Sequence, residues 1–90
     1  MRSFDTWLKK QLKDPEFKKE YDALEEEFAL ARTLIGARAK AKLTQEEVAR
    51  RMGTSQSAVA RMESGRAMPS TASLRKYAHA VGRKLKVALA

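Results

Sequence analysis

Residues 44–65 constrain the fold of this chain most, because they contain the start and stop signals of two short helices. Thr44 is a good N-cap, and Glu47 three residues later completes the reciprocal pattern of a capping box. Gly53 can adopt the left-handed backbone conformation that ends a helix, and Ser55 can cap a second one. The sequence therefore predicts two short helices joined by a tight turn.

The second helix of this pair has an inner and an outer face. Ala58, Val59 and Met62 recur at helical spacing, so we expect them to pack inward, and we expect Gly65 to end the helix. The polar residues left to face outward are Gln56, Ser57 and Arg61. Amide and guanidinium groups make bidentate contacts with adenine and guanine edges in the major groove. We therefore predict that the two helices bind duplex DNA.

The charge distribution divides the chain into parts. Its 90 residues have a formal net charge of +8. Residues 31–90 hold thirteen Lys and Arg against three Glu, whereas residues 1–30 hold eight acidic residues against six basic ones. A strongly basic domain attracts phosphate, and an acidic-leaning segment is better suited to a protein partner. We predict a helical extension over residues 1–30, a DNA-binding domain over residues 31–83 and a terminal segment over residues 84–90.

Two helices are predicted in the extension. Ser3 or Asp5 can cap a short first helix. Asp14 followed by Pro15 is a strong start signal for a second, long helix, because proline at the first helical position lacks an amide that would be unpaired there.

Large apolar side chains recur along these helices at spacings of three and four residues. For Ala31, Leu34 and Ile35 we expect cover from the core of the DNA-binding domain. The upstream residues extend beyond so small a domain, because a helix rises about 1.5 Å per residue, so a partner protein is their expected cover. These residues are Phe4, Trp7, Leu8, Phe17, Tyr21, Leu24 and Phe28.

Arg38 and Glu63 are expected to form an ion pair. Arg38 follows Ile35 by three residues, where an apolar residue is expected, and a buried arginine needs a carboxylate partner. Glu63 is the candidate, because it is the only acidic residue after Glu47. The alternative is that both side chains are solvated.

The C-terminal part begins with a loop that contains Pro69. A helix capped by Ser70 or Thr71 is expected to follow and to run to about Val81. Residues 84–90 then alternate between apolar and other side chains, which predicts a strand that pairs with a second copy of the chain across a two-fold axis. The apolar residues of this strand are Leu85, Val87 and Leu89. The alternative is a frayed tail.

Composition disfavours several classes of function. Without cysteine the chain has no thiolate metal site, and we expect neither a metal nor a cofactor. His79, the single histidine, has no Ser, Cys or acidic residue poised beside it, so we do not expect an enzyme. No apolar run approaches the roughly 20 residues that span a bilayer, and a signal core is absent, so a cytoplasmic protein is expected. Residues 4–12 leave a membrane-surface helix as a weaker alternative.

The helical pair and its flanks contain a distinctive set of residues. They are Thr44-Gln45-Glu46-Glu47-Val48-Ala49, Gly53, Ser55-Gln56-Ser57, Val59, Met62-Glu63-Ser64-Gly65 and Pro69-Ser70. With these residues, positions 31–83 resemble the Cro/C1-type (XRE) helix-turn-helix domain of phage repressors. The resemblance implies an all-α, lambda-repressor-like helix-turn-helix bundle. With the Asp14-Pro15-Glu16-Phe17 helix and the terminal strand added, the whole chain resembles HigA-type antitoxins, which repress their own operon and neutralise a RelE-like ribonuclease toxin.

This resemblance implies roles for individual residues. Base reading would fall to Gln56, Ser57 and Arg61, and phosphate binding to Gln45, Ser55 and Arg66. Arg38 and Glu63 would form the ion pair of the family. The implied partners are duplex operator DNA, a basic RelE/HigB-like toxin and a second copy of the chain. Ala60 departs from the pattern, because it has no hydrogen-bonding group for base reading. The alternative function is a stand-alone repressor whose N-terminal helices are a dimerisation arm.

Overall fold

The computed structural model describes residues 2–89, with side chains from residue 3 onward, and consists there of five α-helices. They are α1 (Arg2–Gln11), α2 (Pro15–Lys40), α3 (Gln45–Met52), α4 (Gln56–Met62) and α5 (Thr71–Ala80). The predicted all-α fold is confirmed, and each predicted helix is present. None of the helices between residues 2 and 89 is both long and apolar enough to cross a membrane.

Four of these helices begin at side-chain caps. Asp14 accepts a hydrogen bond from the amide of Glu16 at 3.0 Å, directly before Pro15. The predicted capping box at Thr44 is present. Ser55 caps α4 and Ser70 caps α5, in each case by accepting from the amide three residues later. Because each cap satisfies an amide that no helical carbonyl can reach, these short local signals fix where the helices start.

Two predicted helix ends are wrong. α1 already includes Ser3 and Asp5, so neither residue caps it, and Asp5 instead places a carboxylate in the first turn, where the helix dipole favours it. α4 ends at Met62 with Glu63 as its C-cap, earlier than predicted. Gly65 lies in the turn that follows, where its φ of +73° is left-handed.

The second half of α2 packs with α3, α4 and α5 around one core. Val48, Val59 and Tyr77 are its fully buried side chains, and Leu34 is 7% exposed. Ile35, which we expected to pack on this core, is 41% exposed. Ile35 lies about 100° further around α2 than Leu34, and this rotation places it at the edge of the face that packs on the core.

α1 folds back so that its aromatic rings meet those of α2. We call Phe4, Trp7, Phe17 and Tyr21 the aromatic cluster. Trp7 meets Phe17 edge to face at a centroid distance of 5.9 Å, and Phe17 stacks on Tyr21 at 6.3 Å. Phe4 lies 6.1 Å from Trp7. The chain therefore covers part of its upstream apolar seam itself, where the sequence predicted cover from a partner protein.

The predicted C-terminal strand is wrong for residues 84–89, and Ala90 lies outside the described residues. A strand needs a hydrogen-bonded neighbour, and the rest of the described chain, being helix and loop, offers none. Leu85 instead lies half-buried beside a groove between α2 and α5. Val87 and Leu89 are 75% and 97% exposed.

Candidate nucleic-acid interface

A glycine turn sets the position of α4 against α3. Gly53 has φ +72° and ψ +35°, and the amide of Thr54 donates to the carbonyl oxygen of Ala49 at 2.9 Å. This geometry reverses the chain within three residues, from Gly53 to Ser55, which caps α4. The two helices therefore form the predicted helix-turn-helix, with Val48 of α3 and Val59 of α4 fully buried.

The free face of α4 carries the predicted base-reading residues. Gln56, Ser57 and Arg61 are all exposed, whereas Ala60 is half-buried. Ser55 is also exposed, although its hydroxyl oxygen accepts the amide hydrogen of Ala58 at 3.1 Å. The fold therefore presents one amide, one hydroxyl and one guanidinium group from the same short helix to solvent.

The structure brings Arg38 and Glu63 together below this helix. Nε and Nη2 of Arg38 donate to Oε2 and Oε1 of Glu63 at 2.9 and 2.8 Å, in a bidentate pair. Nη1 of Arg38 donates to the carbonyl oxygen of Leu43 at 3.1 Å, which ties the same guanidinium group to the loop before α3. The Glu63 side chain is only 3% exposed. A single side chain thus joins α2, the α3 entry and the end of α4.

Two further residues contact the Glu63 carboxylate. The Tyr77 hydroxyl lies 2.7 Å from Oε2 of Glu63 and 2.8 Å from the carbonyl oxygen of Leu34, so its proton has two acceptors within reach. Gln45 Nε2 donates to Oε1 of Glu63 at 3.2 Å. Each oxygen of the carboxylate therefore has two hydrogen-bond donors within reach, which offsets the cost of burying its charge.

These contacts shift the pKa values of the group. Burial by itself raises the pKa of Glu63, but hydrogen bonds from Arg38, Tyr77 and Gln45 outweigh it and leave that pKa below its ordinary value. The hydrogen bond to Glu63 raises the pKa of Arg38. Burial, and then the hydrogen bond to Glu63, raise the pKa of Tyr77. The pair is therefore charged at neutral pH.

Gln45 connects this buried group to the exposed face of α4. Its Nε2 donates to Glu63, and its Oε1 accepts from Gln56 Nε2 at 3.5 Å. The contact with Gln56 is long, and so weak. The side chain of Gln45 is thus oriented by the protein itself, and its implied role in phosphate binding stays a prediction.

Arg66 lies on the turn after α4, and its side chain is exposed. Its amide donates to the Ser64 hydroxyl oxygen at 3.2 Å, and that hydroxyl donates to the carbonyl oxygen of Arg61 at 2.7 Å. A predicted base-reading residue and a predicted phosphate-binding residue are thus joined through one serine. Lys76 of α5 lines an open cleft beside α4 together with Arg61, and adds a cation that the sequence did not single out.

The residues predicted to bind a toxin divide by exposure. Phe4, Trp7, Leu24 and Phe28 are 56%, 49%, 45% and 40% exposed. The other three, which are half-buried, are Leu8, Phe17 and Tyr21. Residues 20–27, which we call the acidic segment, carry five carboxylates and no basic residue, so Leu24 lies within a strongly negative stretch of α2.

Sequence reasoning missed two residues that hold the interface in place. The first is Tyr77: a buried tyrosine hydroxyl needs a hydrogen-bond partner, and Glu63 is that partner. Arg51 Nη1 donates to the carbonyl oxygen of Ala80 at 3.0 Å and so joins α3 to the C-terminal end of α5. Nothing in the local sequence identifies that second contact.

The model of the helix-turn-helix family matches residues 34–87, which is more than half of the chain, so the chain belongs to that family. It is also similar to two curated relatives, both Antitoxin HigA1 of Mycobacterium tuberculosis, from strains CDC 1551 / Oshkosh and ATCC 25618 / H37Rv. Each is 37% identical over 76 residues, which are 84% of this chain and 51% of the relative. The chain thus spans about half the length of these relatives. No solved structure gives a significant match. The predicted resemblance to XRE-type domains and HigA-type antitoxins is confirmed.

Proposed function

We propose that this chain binds duplex operator DNA, represses its own operon and neutralises a basic RelE/HigB-like ribonuclease toxin. The DNA-binding part of the proposal rests on one observation, the exposed row of Gln56, Ser57 and Arg61 on a helix whose other face is locked into the core. The similarity to proteins named Antitoxin HigA1 supports the toxin partner. We propose a regulator without catalytic activity that works in the cytoplasm.

Base reading is tested with a duplex that the wild-type protein selects from a random library and a duplex of the same composition in shuffled order. We call them the selected and the shuffled duplex. Gln56→Ala or Arg61→Ala should each cost about 1–3 kcal/mol on the selected duplex and little on the shuffled one. Equal losses on both duplexes would refute the base-reading role.

Phosphate binding by Arg66 predicts a different pattern. Arg66→Ala should weaken binding to both duplexes alike and reduce the slope of log affinity against log salt by about one unit. Lys13→Ala is the matched control, because it removes the same charge from the turn between α1 and α2, and it should leave the slope unchanged. A wild-type slope in Arg66→Ala would exclude this residue from the phosphate contacts.

For the toxin we propose a surface formed by Leu24, Phe28 and the carboxylates of the acidic segment, continued by Phe4 and Trp7. Half-exposed aromatic side chains supply the apolar anchors, and the carboxylates attract a basic partner. The half-buried Leu8, Phe17 and Tyr21 complete the proposed set, and Phe17 is in ring contact with Trp7.

The experiment uses the full chain and the product of a neighbouring gene for a short basic protein. Leu24→Asp combined with Glu25→Lys should abolish copurification with that protein and rescue of cells that express it, while affinity for the selected duplex is retained. Lys9→Glu combined with Lys10→Glu is the control, since it changes charge on α1 and not in the acidic segment. If the first variant still rescues cells at equal expression, the toxin binds elsewhere.

The stand-alone repressor is the second candidate function. The ring contacts within the aromatic cluster favour it, because an arm that only stabilises the chain must satisfy its own apolar side chains. If the chain is a stand-alone repressor, no small basic protein should copurify with it from its native operon, whereas an antitoxin should copurify with its toxin. Mass spectrometry of the natively expressed protein distinguishes the two.

We also propose that the chain binds DNA as a homodimer, because two half-sites one helical turn apart are read together by two copies. The exposed Val87 and Leu89 are the proposed contact, together with the neighbouring Leu85. Val87→Ser with Leu89→Ser should shift the protein toward monomer in light scattering and lower operator affinity. Ile35→Ser, at a 41% exposed side chain of α2, is the control. A full dimer in the double variant would place the interface elsewhere.

A further inference from the structure

Phe28 approaches the turn after α4 more closely than any side chain at position 65 would permit. A Cβ atom added to Gly65 would lie 2.7 Å from Cε1 of the Phe28 ring and would overlap Cδ1. Gly65 is buried, although both of its neighbours in the turn have polar side chains. The ring therefore covers the backbone of Gly65 directly.

The covered turn connects two residues of the proposed DNA interface. Gly65 lies between Ser64, whose hydroxyl donates to the carbonyl oxygen of Arg61, and Arg66, whose amide donates to that hydroxyl. Its backbone is left-handed, with φ +73°. Because glycine has more backbone freedom than any other residue, this turn needs an external restraint to hold one geometry. The Glu63 carboxylate restrains the turn from the core side.

We propose that Phe28 is a positioning residue for DNA recognition, whose ring restrains the turn from its outer side and so fixes Arg61 and Arg66 relative to each other. Phe28 remains 40% exposed and lies one helical turn from Leu24, so any partner on the acidic segment is adjacent to this restraint. The inference rests on the proposed binding of DNA. It extends that proposal, because it assigns to the N-terminal part of α2 a role in operator discrimination.

The first test compares affinities for the selected and the shuffled duplex. Phe28→Ala should lower the ratio of these affinities about tenfold, because the arginines lose their fixed positions while the charge of the protein is unchanged. Phe28→Tyr retains the ring and should retain the ratio within about twofold. Ile35→Ala, at a 41% exposed apolar side chain on the same helix, is the matched control and should also keep the ratio. Salt slopes should match the wild type in all three variants.

Should Phe28→Ala fail to fold, Phe28→Leu tests the same point, since it keeps apolar bulk but not a flat ring. An unchanged ratio in either variant, with helical content intact, would overturn the inference while the proposed function stands. A wild-type protein that selects no duplex at all would overturn both.

The second test measures the contact without DNA, by thermal unfolding of glycine variants. Gly53 has nearly the same φ as Gly65, but nothing lies within 4 Å of a Cβ added there. Gly53→Ala therefore reports backbone strain alone and should lower the Tm by about 5–10 °C. Gly65→Ala should lower it further, and this excess should disappear in a Phe28→Ala background. Equal Tm losses for both glycine variants in the wild-type background would refute the contact.

Discussion

The two halves of α2 have the same apolar spacing but very different surroundings. In the second half, Ala31 and Leu34 are buried to 5% and 7% exposure. At and before the midpoint of the helix, Leu24 and Phe28 keep 45% and 40% of their surface. The difference arises because side chains of α3, α4 and α5 pack on the second half, whereas the upstream part meets α1 through aromatic rings and the turn after α4 through Phe28. Periodicity therefore shows which residues share a face, and the number of neighbouring elements decides whether that face is buried.

The acidic segment of α2 and the core also differ in the surroundings of their carboxylates. Carboxylates of the acidic segment are solvated, apart from the half-buried Glu27, and repel one another along one stretch of helix. The single carboxylate of Glu63, in contrast, is buried and receives donors from α2, α3 and α5. A carboxylate in the first region is suited to attract a partner from solution, while the carboxylate in the second holds the protein together.

The largest expected loss of stability comes from removing the buried Glu63 carboxylate. Glu63→Ala removes the carboxylate partner of the Arg38 charge and should cost about 3–5 kcal/mol of unfolding free energy, measured by urea denaturation. Glu26→Ala in the acidic segment, at an exposed position, should change stability by no more than about 0.5 kcal/mol. Comparable losses of unfolding free energy in the two variants would show that the buried carboxylate contributes no more to stability than an exposed one.

A smaller effect compares apolar burial. Val59→Ala removes two methyl groups from a fully buried position and should cost about 2 kcal/mol. Leu24→Ala truncates a side chain that is nearly half exposed, so its cost should stay below about 1 kcal/mol. The same urea titrations give both values, and a reversal of their order would mean that a partner chain already buries Leu24.

Replacing lysine by glycine should change the free energy of unfolding in opposite directions inside α2 and in the loop after it. Lys42 has a left-handed φ of +58°, so Lys42→Gly should gain up to about 1 kcal/mol by removing that strain. Lys18→Gly, inside the first half of α2, should lose about 1 kcal/mol through lower helix propensity. A loss of stability in both variants would show that the Lys42 side chain stabilises the fold by more than its backbone strain destabilises it.

The smallest expected effect is on the pH dependence of stability. Because the pKa of Glu63 is lowered in the folded protein, its ion pair contributes fully above the ordinary glutamate pKa of about 4.3 and is lost as pH falls through the folded value. Glu63→Gln should therefore flatten the decline of unfolding free energy between about pH 5 and the acid limit. Val59→Ala, which is also destabilised, should keep the wild-type slope.

Local signals in the sequence predicted the helices well. The Asp14-Pro15 start, the capping box at Thr44 and the Gly53 turn each act within four residues, because a cap satisfies amides in the first turn of its own helix. Residue counting also separated the basic and acidic-leaning parts. The pairing of Arg38 with Glu63 was predicted because Glu63 is the only acidic residue after Glu47, and a buried arginine needs a carboxylate partner.

Contacts between distant residues could not be predicted in this way. Only the packed helices decide that Leu34 is buried and Ile35 exposed, that the last residues find no strand partner, and that the Phe28 ring covers Gly65. The sequence by itself determined the helices, the N-caps of α2 to α5 and the residues exposed on α4, because these depend on neighbours within a few positions. The tertiary structure decided which of those residues are held rigid and which are left free for a partner, because burial depends on elements that meet only after folding.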